Sequence, residues 1–444
     1  MQKKLFPIVF VSFLVVLMAT IFLLASGPAP ARAAAMQGVD GFVQRTPTAT
    51  GDLGSAPQPT ATQKSRMTPT PTQDPVLTPT PTATQNSRMT PTATSDPILT
   101  PTPTATVLDD SRATPTPIQD GIEEMIPLMD MVNGETYKGF EGGLYPGGTN
   151  AMPAAHYEEG LRRAAMLQPL DVNGNPNPNG KMILLVVGMS NTHREACGFG
   201  QVNGASCNPN TLIDRAESDP DVNNDTLFVF DGARGSQVAN KWIGTNQPIY
   251  EWIDTNFGEL GLSRLQVQAV WIKLANPRPL MSLPSDQADA YELMQYLGDI
   301  VRTLKEQYPN LQMIFLSSRI YAGYTTYELN PEPYAYEYGF SVKWLIEAQI
   351  DQMASGGTEI HPVTGDLNYN AGIPWLAWGP YLWANGLEPR SDGLTWAIDD
   401  YDPLDLTHPS EGAIAKVGAL LLDFFKNSPH TRCWFLAGQA CGGE

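Results

Sequence analysis

The stretch of sequence that decides the fold is an apolar run ending beside a serine. Residues 182–191 read MILLVVGMSN. The first six residues are apolar without alternation, which is typical of a parallel strand covered by helices on both faces. Ser190 follows this run by three positions. Because ligands bind at the carboxyl ends of the strands in such sheets, Ser190 is expected to lie at a binding site.

Four more short apolar runs follow along the chain. Between them lie segments whose apolar residues are spaced as in a helix. The predicted strands are 182–187, 226–230, 267–272, 312–317 and 373–377. The predicted helices include 286–307, 341–353 and 410–426. Alternating strands and helices predict an α/β protein, a three-layer α/β/α sandwich with a parallel sheet of about five strands.

Composition divides the chain into a globular region and a segment rich in Thr and Pro. Residues 36–122 contain few core-forming side chains and repeat the motif SRMTP at 65 and 87. Such a segment cannot bury enough apolar surface to offset the entropy lost on ordering. We interpret 36–122 as a disordered, extended stalk and 123–444 as one globular domain.

The first 35 residues have the features of an export signal. Lys3 and Lys4 precede the apolar run 5–25, and a small-residue cleavage site lies near Ala33. This pattern predicts a signal peptide over 1–35. The run is also long enough to span a bilayer, so an uncleaved signal anchor is the alternative. Both interpretations predict a secreted or cell-surface protein.

The acidic composition argues against some partners. The chain has 27 basic and 46 acidic residues, a formal net charge of −19. An acidic surface disfavours nucleic acid and anionic lipid. We therefore expect membrane contact only through a retained N-terminal anchor.

The four cysteines form two local pairs, Cys197 with Cys207 and Cys433 with Cys441. In an exported protein, an even number of cysteines in close pairs predicts two short-range disulfides. Neither pair has Cys-x-x-Cys spacing, and no histidine cluster accompanies them, so we predict no metal site.

A second candidate motif, Asp405-x-x-His408, stands at the start of the last predicted helix. A serine hydroxyl is a poor nucleophile until a base removes its proton. Asp405 can accept a hydrogen bond from one ring nitrogen, so that the other nitrogen can accept the Ser190 proton. The alternatives are a plain turn at Ser190 and a helix cap at Asp405 or Thr407. His193 is a rival base, but no carboxylate lies three residues before it.

An acyl-transfer site also needs hydrogen-bond donors for the developing oxyanion. Ser190 can offer its own N–H. Gly235 follows the second predicted strand, where a glycine backbone can approach a substrate closely. Asn276 follows the third strand and can offer a side-chain amide. Each of the last two also fits an ordinary turn.

These residues resemble, in order, the Ser, Gly, Asn and His blocks of the SGNH (GDSL-like) hydrolase superfamily. The resemblance covers about residues 181–427. It implies a flavodoxin-like sandwich and a triad of Ser190, His408 and Asp405, with an oxyanion hole formed by Ser190, Gly235 and Asn276. Gly-x-Ser-Asn resembles the carbohydrate-esterase branch. The third block departs from the family, because residues 274–277 read LANP instead of Gly-x-Asn-Asp.

Several aromatic residues follow the last two predicted strands. Tyr321, Tyr324, Trp383 and Trp396 could present flat faces to a sugar ring, although core packing is the alternative. The sequence thus predicts an exported serine esterase that removes an acyl group, most simply acetyl, from a carbohydrate or another small ester without a cofactor. A surface-displayed carbohydrate-binding or adhesion module on the same fold and a lipase or thioesterase are the competing hypotheses.

Overall fold

The computed structural model describes residues 125–198, 201, 206–439 and 441. The predicted signal segment 1–35 and stalk 36–122 lie outside the described residues. Both remain predictions. Within the described part of the chain, no helix has the length and hydrophobicity that a membrane span requires.

A five-stranded parallel sheet forms the centre of the molecule. A small antiparallel ribbon precedes it, made of β1 (Thr136–Tyr137) and β2 (Phe140–Glu141). The sheet strands are β3 (Met182–Gly188), β4 (Leu227–Asp231), β5 (Val267–Lys273), β6 (Met313–Leu316) and β7 (Trp375–Trp378). Their spatial order is β4-β3-β5-β6-β7, with every neighbouring pair parallel. This is the flavodoxin order, so the predicted fold class is confirmed.

Helices cover both faces of the sheet. They are α1 (Ala154–Ala164), α2 (Ser190–Ala196), α3 (Leu212–Ser218), α4 (Pro248–Glu259), α5 (Asp289–Gln307), α6 (Tyr334–Ala354), α7 (Glu411–Asn427) and α8 (Arg432–Phe435). Short 3₁₀ turns occupy Ala239–Trp242, Arg264–Gln266, Tyr369–Ala371 and Ile398–Asp400. Helices α4, α5 and α6 pack on one face, and α1, α3, α7 and α8 pack on the other.

The core reflects the alternation of side chains along each strand. In β3, Ile183 and Leu185 belong to one apolar cluster, while Leu184 and Val186 belong to the cluster on the opposite face. All seven β3 residues are buried, as a continuous apolar run requires. A strand covered on both faces leaves only its carboxyl end for a site.

Both predicted disulfides are present. Cys197 pairs with Cys207, joining the end of α2 to the segment before α3. Cys433 pairs with Cys441 and closes the turn that follows α8.

Candidate active site

Ser190 lies at a sharp turn from strand to helix. Strand β3 ends at Gly188, Met189 is extended, and Ser190 is the first residue of α2. A Cβ at position 188 would come within 2.4 Å of the Thr192 side chain, so only glycine fits there. The turn therefore holds Ser190 at the carboxyl edge of the sheet.

The structure brings Ser190, His408 and Asp405 into one hydrogen-bonded series. Ser190 Oγ is 2.8 Å from His408 Nε2, across 218 positions of sequence. On the far side of the ring, His408 Nδ1 is 2.6 Å from Asp405 Oδ2. The side chains of His408 and Asp405 are 20% and 25% exposed, so the series borders solvent.

Asp405 is held by backbone donors as well as by the imidazole. Its Oδ1 accepts from the N–H groups of Thr407 and His408, each at 2.9 Å. Leu406 turns the chain between them with a left-handed φ of 50°. Partial burial by itself would raise the pKa of Asp405, but these hydrogen bonds outweigh it and hold the pKa below its usual value. An ionised Asp405 keeps the ring proton on Nδ1 and leaves Nε2 as an acceptor.

Two residues of α2 attach the nucleophile to the loop that carries the histidine. The Asn191 amide is buried and donates to the Thr407 carbonyl at 3.0 Å. One turn later, Arg194 donates to Asp402 at 3.1 Å. These contacts hold residues 402–408 against the helix that begins with Ser190.

Two other residues of α2 attach it to the end of β5. Thr192 Oγ1 donates to the Lys273 carbonyl at 2.8 Å. Glu195 forms an ion pair with the Lys273 ammonium, and both side chains are fully buried. No local sequence pattern reveals this pair, because its partners are 78 positions apart.

His193 has a carboxylate partner that the sequence analysis missed. Its Nδ1 lies 2.5 Å from Asp231 Oδ2 at the end of β4. Burial raises the pKa of Asp231, and His193 and Arg234 offset part of that rise. Arg234 stacks its guanidinium 3.6 Å above the Trp252 ring. Local spacing does not reveal this partner, because Asp231 lies 38 positions away on strand β4.

The two predicted oxyanion residues differ in their surroundings. Gly235 lies in an exposed turn after β4, with nothing within 4 Å of an added Cβ. Arg234 N–H donates to the Gly188 carbonyl at 3.3 Å, so this loop is attached to the nucleophile turn. The role of Gly235 in the oxyanion hole stays a prediction.

Asn276 is buried, and its amide nitrogen is committed to the first turn of α5. It donates to the Asp289 carbonyl at 3.2 Å and to Glu292 Oε2 at 2.8 Å. An amide nitrogen has two hydrogens, so these bonds use both of its donors. In this structure Asn276 thus attaches α5 to the segment after β5. Its predicted role in the oxyanion hole stays a prediction, which requires at least one of these bonds to break.

The four predicted sugar-contacting rings divide into two groups. Trp383 and Trp396 are fully buried, with their indole N–H groups bonded to Glu332 and to the Leu382 carbonyl. The core encloses these two rings, so the prediction that they contact a substrate directly is wrong. Tyr321 and Tyr324 are partly exposed and pack edge to face at 5.1 Å.

Within the described residues, no group of three or more His, Cys, Asp or Glu side chains is arranged to hold a metal ion.

No protein-family model matches the chain, and no curated protein matches it.

The chain is similar in fold to several solved structures. Protein YXIM of Bacillus subtilis is 16% identical, with a TM-score of 0.31 over 57% of this chain and 58% of that one. A carbohydrate esterase family 2 enzyme with a carbohydrate-binding domain, from Corynascus thermopiles (Myceliophthora fergusii), is 13% identical, with a TM-score of 0.29 over 56% and 66%. An extracellular lipase from Streptomyces rimosus is 12% identical, with a TM-score of 0.21 over 48% and 96%. This chain spans less than two thirds of the Bacillus and Corynascus proteins. The fold assignment above depends on the strand order of this chain alone.

Proposed function

We propose that this protein is an exported serine esterase of the SGNH type, acting on a small acyl ester. The observation that carries the proposal is the series Asp405–His408–Ser190, joined at 2.6 Å and 2.8 Å at the carboxyl edge of the sheet. Aspartate, histidine and serine in this arrangement provide an acid, a base and a nucleophile for acyl transfer.

In the first half of the proposed reaction, Ser190 Oγ attacks the ester carbonyl carbon while His408 Nε2 takes the hydroxyl proton. The carbonyl oxygen becomes an oxyanion, which the Ser190 and Gly235 N–H groups stabilise. His408, protonated and stabilised by ionised Asp405, then gives its proton to the leaving alcohol. The acyl group stays on Ser190 as an ester.

In the second half, water takes the place of the alcohol. His408 removes a proton from the water, which attacks the acyl carbon. The tetrahedral intermediate collapses, Ser190 recovers its proton from His408, and the carboxylic acid leaves. Both halves use only side chains and backbone groups of this chain.

For the substrate, we propose an acetyl or similar short acyl group on a carbohydrate. The Gly-x-Ser-Asn block around Ser190 supports this choice through its resemblance to carbohydrate esterases. The partly exposed rings of Tyr321 and Tyr324 also support it, since an amphipathic ring suits the face of a sugar.

One observation favours a second candidate, an esterase or lipase with a longer acyl chain. Leu404, next to Asp405, is 84% exposed, and Tyr327 is 51% exposed. The loops that carry them are joined by a 2.5 Å hydrogen bond between Thr325 and Thr407. Exposed apolar side chains beside the triad could bind the apolar part of an ester.

The test compares hydrolysis by the full-length chain and by Ser190→Ala. Substrates are 4-nitrophenyl acetate, 4-nitrophenyl octanoate and an acetylated polysaccharide. We expect wild-type turnover and a loss of several orders of magnitude in Ser190→Ala, as for other serine hydrolases. Ser355→Ala, at the end of α6, is the matched control and should keep full activity.

The pattern of rates separates the candidates. Preference for acetate and polysaccharide supports the carbohydrate esterase, whereas preference for octanoate supports the second candidate. Equal rates for wild type and Ser190→Ala would contradict the serine mechanism. Binding of the polysaccharide without turnover of any ester would instead support a carbohydrate-binding module.

A further inference from the structure

A buried pair of opposite charges lies directly behind the nucleophile helix. Lys273 is the last residue of β5, and Glu195 is near the end of α2. Both side chains are fully buried, and the Lys273 ammonium bonds both oxygens of Glu195. The proposed reaction uses neither residue.

Burying such a pair is a poor way to gain stability. Removing two charges from water costs several kcal/mol per ion by general estimates, and their attraction often only offsets this. A well-packed apolar pair of similar volume would often serve stability equally well. Stability alone is therefore a weak explanation for this pair.

Helix α2 needs external attachments. It has seven residues, too few to be stable as a helix by itself. Lys273 contacts it twice, through its carbonyl to Thr192 at 2.8 Å and through its ammonium to Glu195. One residue at the end of β5 thus fixes both the middle and the end of the helix that Ser190 begins.

We propose that Lys273 is a positioning residue, whose buried ion pair with Glu195 fixes α2 so that Ser190 Oγ stays within reach of His408. This inference rests on the proposed esterase function. Lys273 does not touch the reacting atoms. It acts through the helix, so its loss lowers the fraction of molecules in which the hydroxyl and the imidazole are aligned.

The charges around the pair give it a pH dependence. Glu195 faces Lys273 from α2, and buried Arg319 faces both from the segment after β6. Burial lowers the pKa of Lys273 to about 8, with Glu195 opposing and Arg319 adding to the decrease. As the pH rises through about 8, Lys273 loses its proton and the ion pair with Glu195 is lost. Activity should decrease over the same range.

The main test is the double variant Lys273→Met, Glu195→Gln, in the full-length chain. Each single change would leave one buried charge without its partner and could unfold the protein. Changing both residues together leaves neither of these two charges without the other. We expect a native circular dichroism spectrum, an unchanged KM for 4-nitrophenyl acetate and a kcat lower by about 10- to 100-fold, as small misplacements of reacting groups produce.

The pH profile gives a readout that a purely structural role would not change. Wild-type kcat should decrease reversibly around pH 8, and this decrease should be absent from the double variant. The matched control is Lys343→Met, Glu347→Gln, a mostly buried ion pair on α6. It should keep both kcat and the alkaline decrease.

Two results would overturn the inference. One is a folded double variant with wild-type kcat. The other is a folded double variant whose alkaline decrease in kcat matches that of wild type. Failure of the esterase proposal is distinguishable, because wild type and Ser190→Ala would then hydrolyse the ester equally.

Discussion

At the scale of single residues, Asp405 both shapes its loop and orients the base. One carboxylate oxygen accepts two backbone N–H groups, and the other faces the His408 ring. The two tasks can be separated by a change that preserves shape but not charge.

We expect Asp405→Asn to keep the loop and lose most of the activity. The amide oxygen can still accept from the backbone, but the amide NH₂ would face His408 Nδ1 and favour the wrong tautomer. The expected loss in kcat is about 10³- to 10⁴-fold. Steady-state kinetics with 4-nitrophenyl acetate measures it. The control Asp423→Asn, on α7, should leave kcat unchanged. A similar loss of kcat in this control would count against Asp405 as the residue that orients His408. So would an unchanged kcat in Asp405→Asn.

Asn191 gives a second test at this scale. Its amide holds the Thr407 carbonyl beside His408, so Asn191→Ala should lower kcat by about 10- to 100-fold with little change in KM. Asn256 is a matched control: it is also buried and donates to a backbone carbonyl, but it lies on α4. Asn256→Ala should affect thermal stability and not kcat. Equal kinetic effects of the two changes would refute a special role for Asn191.

These residues show what the sequence could reveal about the site. Ser190 and Asp405-x-x-His408 each have a local signature, a strand end and a short spacing, so both could be found. The Asp231 and Lys273 contacts join residues 38 and 78 positions apart and depend on which strands are neighbours. The burial of Trp383 and Trp396 could not be predicted, because an aromatic residue in a loop is equally suited to a sugar and to the core.

At the scale of elements, the turn from β3 into α2 is the most constrained part of the site. Helix α2 presents its successive side chains to β4, to β5 and to the loop 402–408. The helix can make these contacts only because Gly188 lets Thr192 pack directly against the strand end.

Gly188→Ala should therefore impair both folding and activity. The added methyl group would overlap the Thr192 side chain, whose branched Cβ allows little adjustment, at a cost of about 1–3 kcal/mol. Gly258→Ala in α4 meets open space and should stabilise by about 0.5–1 kcal/mol. Chemical denaturation and kcat, measured together, test this contrast. A neutral Gly188→Ala would contradict the tight packing of the turn.

Strand positions were easier to predict than helix boundaries. Every predicted strand is present, with ends that agree within two residues, because continuous apolar runs in a sheet buried on both faces give a strong signal. Helix α6 begins at Tyr334, seven residues before the predicted start at 341. Its first two turns carry Tyr336 and Tyr338, which are buried in the core.

At the scale of the whole molecule, α1 closes the outer edge of the sheet with a buried histidine. His156 Nε2 bonds the Leu376 carbonyl of β7 at 2.7 Å, and its ring lies beside Trp375. Burial lowers the pKa of His156 to about 4, with the nearby His430 adding to the decrease. Between about pH 4 and pH 6.5, the ring is therefore neutral in the folded state and protonated in the unfolded chain.

Because of this difference, the free energy of unfolding should decrease toward acid pH. Below about pH 6.5 the unfolded chain binds a proton that the folded state refuses, so stability falls as the pH drops toward about 4. The full effect is on the order of 3 kcal/mol. His156→Gln should flatten the acid limb of stability measured by denaturation between pH 7 and pH 4. His361→Gln is the control: burial also lowers the pKa of His361, but by less, so this change should flatten the acid limb less. An unchanged acid limb in His156→Gln would contradict the proposed effect of burying His156.

The proposed mechanism requires Ser190 to be a nucleophile that His408 activates. The most direct measurement is mass spectrometry of the full-length chain after reaction with a fluorophosphonate, a reagent that phosphonylates activated serines. We expect one adduct per chain, on the peptide containing Ser190, with loss of esterase activity in proportion and no adduct in His408→Ala. An unmodified Ser190 in active protein, or an adduct on another serine that accounts for the lost activity, would contradict the claim.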